Sequence, residues 1–262
     1  MNTLLIIAVF SVAVLFSMLG LGGGVLYVPI LLAAGLDMHA AVPTSLAIML
    51  VMSLTAAVVY HTNSLVDWKV LLLLEPASIL GAVTGSLTSG MFNERTLYII
   101  FACAMLLAAA AGLLPKKQAH LSMPKKRSPG IFHLEKNGER YAINIWYGAP
   151  AAFLAGMVSS VIGIGGGFLK VPLMTAVFGV PIKIAVATSS AMIVITALTG
   201  FAAHTALGHV DLKLAAMLSV VVFLGALVGT RISIRSDKKF LNAVMAVLQL
   251  AVAGWMVYKA IK

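Results

Sequence analysis

Two segments of nearly identical sequence stand about half a chain apart: Ser-Met-Leu-Gly-Leu-Gly-Gly-Gly-Val-Leu-Tyr-Val-Pro from Ser17 and Ser-Val-Ile-Gly-Ile-Gly-Gly-Gly-Phe-Leu-Lys-Val-Pro from Ser160. Each places four glycines within five positions of an otherwise apolar run. Glycine costs a helix interior about 1 kcal/mol relative to alanine, so both segments should interrupt a helix. An interruption in apolar surroundings frees peptide N–H and C=O groups, and it is tolerated only where it is buried in protein or lines a wet cavity. The helices restarting near Val25 and Phe168 would then turn their partial positive charge on such a cavity, which suits an anion. The plainer alternative is that the glycines only let helices approach closely. A dinucleotide-binding fingerprint is excluded, because no strand precedes Gly20.

Other residues that could do chemistry are sparse. Thr44-Ser45 and Thr188-Ser189-Ser190 follow the two glycine segments at the same distance to within one residue. Their hydroxyls either donate to a ligand oxygen or bond back to their own helix carbonyls. Lys170 lies three residues past Gly167, where the first copy has Tyr27. A lysine at membrane depth is costly unless it faces a cavity or a partner. We read it as a cation facing an anion, and snorkelling to the interface as the weaker alternative. Glu75, with Ser219 as its counterpart, could carry a coupling proton, pair with Lys170, or sit near the interface. His61 and His204 end equivalent segments, with Asp67 and Asp211 a few residues on. They read first as hydrogen-bonding groups at helix ends, and second as gating, catalytic or metal-binding groups. Arg231 reads as an interfacial anchor.

These residues sit in a chain that must belong in a membrane. Hydrophobic residues make up 61% of the 262 positions and charged residues 10%, against about 45–50% and 25% in a soluble domain. Uncharged runs of roughly twenty residues recur, the length that crosses a hydrocarbon core. The start of the chain lacks a basic region and a small-residue cleavage site, so the first segment is expected to be retained. Net charge is +10, yet a nucleic-acid partner does not follow. Lys116, Lys117, Lys125, Lys126, Arg127, Lys136 and Arg140 against Glu135 and Glu139 put half of the excess in one loop, as the positive-inside rule does. Cys103 is the single cysteine, so neither a disulfide framework nor a cysteine metal site is expected, and no cofactor is implied.

The elements that position the candidates come in two sets. Ala41-Val42-Pro43-Thr44-Ser45 matches Ala185-Val186-Ala187-Thr188-Ser189, and His61-Thr62 before Val66-Asp67 matches His204-Thr205 before Val210-Asp211. Gly81 and Gly85 match Gly225 and Gly229. The same order of blocks in each half indicates an internal duplication. The domains expected are a first transmembrane repeat over 1–114, a basic cytoplasmic loop over 115–143 and a second repeat over 144–262. Each repeat is expected to be a glycine-broken helical hairpin (3–35; 144–180) plus three spans. These are 40–60, 68–90 and 96–114 in the first half, and 183–203, 212–232 and 239–258 in the second. The fold class is therefore an all-α polytopic membrane protein. An odd number of crossings per half puts Arg231, Arg235, Lys238 and Lys239 on the cytoplasmic side with the central loop. The repeats are then inverted, and Lys259 and Lys262 fall outside, against the charge rule.

The duplicated glycine segment ending in proline (Gly20–Pro29, Gly163–Pro172), the Ala-Val-x-Thr-Ser blocks, the His to Val-Asp spacing and the basic central loop together resemble the TauE/SafE family of membrane permeases. The resemblance covers essentially the whole chain. It implies transport of small anions such as sulfite, sulfonates and related organosulfur anions across a bacterial inner membrane. Carried onto this sequence, it implies a substrate site lined by Gly22, Gly23, Gly24, Thr44, Ser45, Gly165, Gly166, Gly167, Thr188 and Ser189. The role of Lys170 rests on its burial alone. Expected partners are the anion, the lipid bilayer and a coupling proton or ion, with a homodimer left open. An intramembrane enzyme using the His/Asp pairs and a non-transporting assembly or signalling protein are the alternatives. The two His/Asp sets would lie on opposite faces of an inverted repeat, which argues against a shared catalytic centre.

Overall fold

The first glycine segment interrupts a helix in the computed structural model, which describes residues 3–36, 38–88, 129–162, 167–205 and 212–261, and residues 95, 96, 99, 102, 103, 106, 109 and 110. Helix α1 (Thr3–Leu19) stops at the first glycine and α2 (Gly24–Ala33) resumes after the last. Then follow α3 (Met38–Thr62), α4 (Trp68–Thr88), strands β1 (Ile131–Lys136) and β2 (Glu139–Asn144), and α5 (Ile145–Ile162). The expected second break, at 163–166, lies outside the described residues; after it α6 (Gly167–Pro172) runs into a π-helical turn, Leu173–Val177. Helices α7 (Ile182–Thr205), α8 (Leu212–Arg235) and α9 (Lys238–Ile261) complete the chain. The described positions of the expected span 96–114 are all helical.

Four helical segments are long and apolar enough to cross a membrane among the described residues: Ala40–Thr62, Trp68–Gly85, Ile182–Thr199 and Lys213–Arg235. Their outer faces carry large apolar side chains such as Leu72, Leu80, Val220 and Leu224, which suit lipid as the neighbour. Helix α2 has ten residues, which is about 15 Å at 1.5 Å per residue. That is half of a ~30 Å hydrocarbon core, so α2 alone does not span.

The central segment differs from the loop expected there. Its second part is an antiparallel hairpin in which Ile131 faces Asn144 and Lys136 faces Glu139. Asn137 and Gly138 form the two-residue connection with φ of 51° and 75°. Positive φ at both positions is the type I′ geometry that matches strand twist, and Asn-Gly is its preferred sequence. A small β element therefore joins the otherwise helical architecture.

The helices divide into two units. One gathers α1, α2, α3, α8, most of α7 and the start of α6. The other gathers α4, the hairpin, α5, the rest of α6, the start of α7, and α9. Each unit thus mixes elements from both halves of the sequence, and the two share one contact pattern. In the first unit, a Cβ on Gly225 would meet Ala13 and the Phe10 carbonyl, and one on Gly229 would meet the Val14 carbonyl. In the second, Cβ atoms on Gly81 and Gly85 would meet the Phe153 and Met157 carbonyls. Phe10 and Val14 lead to Phe153 and Met157 by the same offset of 143 residues. In both units, then, the first arm of one half's hairpin lies parallel against a glycine face supplied by the other half. Close approach of backbones through small residues is how membrane helices gain dispersion energy without a hydrophobic drive.

Filling those contacts should separate the helices. Gly85→Val and Gly229→Val are each expected to cost about 1–3 kcal/mol and to lower the unfolding temperature in detergent. Gly254→Val, with open space around the added atoms, should leave that temperature unchanged.

Candidate functional site

The first glycine break is wholly buried from Gly20 to Gly24. Gly20, at φ 65°, closes α1 with the left-handed turn that needs glycine, and the Leu21 N–H donates back to the Phe16 carbonyl at 3.0 Å. Gly22 and Gly23 are left-handed too, at φ 83° and 71°. Carbonyls at the end of α1 find partners on neighbouring helices. Ser189 Oγ donates to the Gly20 carbonyl at 2.7 Å, and Tyr60 Oη donates to the Ser17 carbonyl at 2.9 Å.

The donors on the other side of the break are treated differently. Gly23 caps α2 by accepting from the N–H groups of Leu26 and Tyr27, both at 3.1 Å, and no side chain caps this helix. Among the described residues, the N–H groups of Gly22, Gly23 and Gly24 form no hydrogen bond. Buried peptide donors are nearly always paired, so three in succession form a local excess of positive dipole at a helix N-terminus.

The helices bearing Thr-Ser converge on this break at equivalent positions. A Cβ on Gly22 would lie 3.2 Å from Ile193 of α7 and 3.4 Å from Met49 of α3. Ile193 is one helical turn beyond Ser189, and Met49 one turn beyond Ser45. Thr44, Ser45, Thr188 and Ser189 are all buried, at 0–2% exposure. The hydroxyl of Thr44 has no hydrogen-bond partner, whereas that of Ser190 bonds back to the Val186 carbonyl at 3.0 Å. Back-bonding therefore accounts for Ser190, but not for Ser189 or Thr44. Gly165 and Gly166 lie outside the described residues. Gly167 opens α6, and the next residue, Phe168, stacks on Phe16 near the end of α1 with ring centroids 5.8 Å apart. The resumption of the second broken helix thus sits against the first break.

Lys170 and Glu75 are brought together in the second unit. Lys170 Nζ donates to Oε1 at 3.0 Å and to Oε2 at 2.8 Å of Glu75, with side-chain exposures of 3% and 2%. Glu75 precedes Pro76 within α4. One turn on, the buried Ser78 Oγ has no partner. Of the two roles open to Glu75 at membrane depth, pairing with Lys170 is the arrangement seen, and the Lys170 charge is matched by a carboxylate.

Of the two His/Asp pairs, only the first lies wholly within the described residues. His61 is exposed at the end of α3, His204 lies in the last turn of α7, and Asp211 lies outside the described residues. Asp67 instead caps α4, accepting from the Lys69 N–H at 2.9 Å and receiving the Tyr141 hydroxyl of the hairpin. Burial and the Asp67 carboxylate both push the Tyr141 phenol upward, so it stays a protonated donor at physiological pH. Lys238 at the start of α9 pairs with Glu139 of the same hairpin. The hairpin therefore ties the starts of α4 and α9 to one side. Asp67, Glu139 and Lys238 stand out in the sequence for other reasons; the hairpin that joins them does not, although its Asn-Gly turn is the available signal. No group of three metal-ligating side chains occurs among the described residues.

Removing one member of a buried ion pair is far worse than removing both. Lys170→Met should destabilise the protein by about 3–5 kcal/mol, read as a lowered unfolding temperature. Glu75→Gln combined with Lys170→Met should recover most of that loss.

Comparison with known proteins bears on what this arrangement serves. The chain is 29% identical over 255 residues to the probable membrane transporter protein YunE of Bacillus subtilis, covering 94% of this chain and 93% of that one. It is 26% identical to a probable membrane transporter protein of Xylella fastidiosa, over 93% of this chain and 90% of that one. It is 24% identical to the probable membrane transporter protein MJ0441 of Methanocaldococcus jannaschii, again over 93% and 90%. No solved structure matches the chain at a significant level. The sequence model of the family described as sulfite exporter TauE/SafE matches residues 5–256. With that match, the relatives' names and the span-length apolar helices together, the chain is a multi-pass membrane transporter and belongs to the TauE/SafE family.

Proposed function

We propose that this chain is a secondary transporter of small oxyanions, sulfite, sulfonates or related organosulfur anions, with its substrate site at the glycine break of the first unit. One observation carries the reading. At the break the carbonyls of Phe16, Ser17 and Gly20 are satisfied, while the buried N–H groups of Gly22, Gly23 and Gly24 have no partner among the described residues. A pocket of donors without matching acceptors favours a ligand made of acceptors, and a sulfonate or sulfite group presents three oxygens. Thr44 adds a hydroxyl free to donate. Ser45 and Thr188 line the same helices, and Ser189 holds the Gly20 carbonyl away from the ligand. By the duplication Gly165, Gly166 and Gly167 are the counterparts of Gly22, Gly23 and Gly24, and Phe168, which follows them, lies on Phe16. Lys170 is held by Glu75 in the other unit, and this site stands without it.

Transport follows the alternating access common to transporters built from inverted repeats with broken helices. The inverted arrangement is supported by the hairpin, which gathers the starts of α4 and α9 on one side, as an odd number of crossings per half requires. The basic content of the central segment supports a cytoplasmic position for that side, and the family resemblance supports the bacterial inner membrane. Transport by this route assigns no catalytic step to His61, Asp67 or His204.

Uptake into proteoliposomes tests the reading. Thr44→Val removes one hydroxyl at nearly constant volume, and a hydrogen bond to a charged group is worth about 1.5–3 kcal/mol. The half-saturating concentration for methanesulfonate or sulfite should rise about 10–100-fold. Exchange should persist in the His61→Ala, His204→Ala double variant. An unchanged Thr44→Val together with an inactive histidine double variant would favour the enzyme alternative.

A further inference from the structure

The buried pair in the second unit asks for a reason. Replacing such pairs by apolar residues is often neutral or stabilising, so the pair is not explained by stability. The duplication sharpens the point. At the position equivalent to Lys170 the first half has Tyr27, and at the position equivalent to Glu75 the second half has Ser219. Tyr27 is buried and donates to Met52 Sδ at 3.2 Å, so this architecture is built once with these charges and once without them. Lys170 carries three N–H donors, of which two meet Glu75. Ser78, on the same face of α4 one turn from Glu75, is 1% exposed and its hydroxyl is unpartnered. Two donors therefore lie beside a carboxylate that occupies the place of an anion.

We propose that Lys170 and Ser78 form an anion site in the second unit that becomes available when Glu75 takes up a proton, so that each monovalent anion bound there brings one proton. The inference rests on the anion-transport reading and adds a coupling ion to it. With Glu75 ionised, the site is already neutral and the carboxylate repels a second anion. When an aqueous proton adds to a Glu75 oxygen, the Nζ–carboxylate pair is lost and Lys170 remains an ammonium. A sulfonate oxygen then takes the carboxylate's place, with Ser78 donating to the same group. Release reverses both steps, and no bond in the substrate changes. The anion and the proton carry opposite unit charges, so the exchange is electroneutral.

Few other ionisable groups compete for this titration. Helix α5, packed against α4, holds Tyr147 as its one such group, and Tyr147 is exposed. Helix α6 and its π-helical turn hold Lys170 alone. On α4 itself Lys69 is exposed, and Asp67 at its start is engaged by Tyr141 of the hairpin. Lys183 opens α7 after the turn that follows α6.

Methanesulfonate is a suitable probe because it stays ionised at every working pH, so any proton that moves belongs to the protein. Purified full-length protein in weakly buffered, chloride-free detergent solution would be titrated with tetramethylammonium methanesulfonate while a pH dye reports proton uptake. Uptake should approach one proton per chain at saturation, and half-saturation should rise about tenfold per pH unit on the alkaline side. Glu75→Gln should abolish uptake and its pH slope, whereas Ser11→Ala, at an exposed position of α1, should retain both. Ser78→Ala, a milder change, should shift half-maximal uptake about tenfold. Anion binding without proton uptake, uptake persisting in Glu75→Gln, or an unshifted Ser78→Ala would overturn the proposal and leave the anion reading standing. Failure of wild-type protein to bind or exchange methanesulfonate or sulfite at any pH would overturn both.

Discussion

A helix interrupted inside a bilayer leaves peptide groups that lipid cannot satisfy, and each such group costs several kcal/mol if it stays unpaired. The first glycine break meets this constraint on one side only. The Leu21 N–H, the Tyr60 hydroxyl and the Ser189 hydroxyl each serve a carbonyl near the end of α1. The amides of Gly22, Gly23 and Gly24 have no partner among the described residues. Much of the first unit can be read as a frame for that asymmetry. Helix α3 supplies Tyr60 and Met49, α7 supplies Ser189 and Ile193, and α8 braces α1 through Gly225 and Gly229.

The bracing is reciprocal between the halves. Each half gives its hairpin arm to a unit whose glycine face comes from the other half, so neither half builds a unit alone. The same contacts at a constant residue offset show how far the duplication extends into backbone packing. Where the copies diverge, at Tyr27 against Lys170 and at Glu75 against Ser219, the divergence is one of charge, and the helix contact is kept. The frame is thus specified twice and the charged pair once.

Parts of this arrangement were legible in the sequence, and the reasons are local. The helix breaks followed from glycine's conformational freedom, and the duplicated blocks fixed which helices correspond. The Thr-Ser pairs were marked by their nearly constant distance from the breaks, but their split into a capping Ser189, a back-bonded Ser190 and an unpartnered Thr44 depends on which helices converge. The pairing of Glu75 with Lys170 joins residues 95 positions apart, and no periodicity encodes that separation. Exchange of hairpin arms between halves was invisible for the same reason. The hairpin over 131–144 is signalled by its Asn-Gly turn, inside a segment whose basic charge by itself indicates only a loop.

Crystals grown with selenite, the selenium counterpart of sulfite, give the most direct test of the anion site. The account predicts an anomalous difference peak whose oxygens lie about 3 Å from the Gly22–Gly24 amides and within reach of Thr44 Oγ1. A fully occupied peak elsewhere in the protein, with the three amides bonded to ordered water alone, would contradict it.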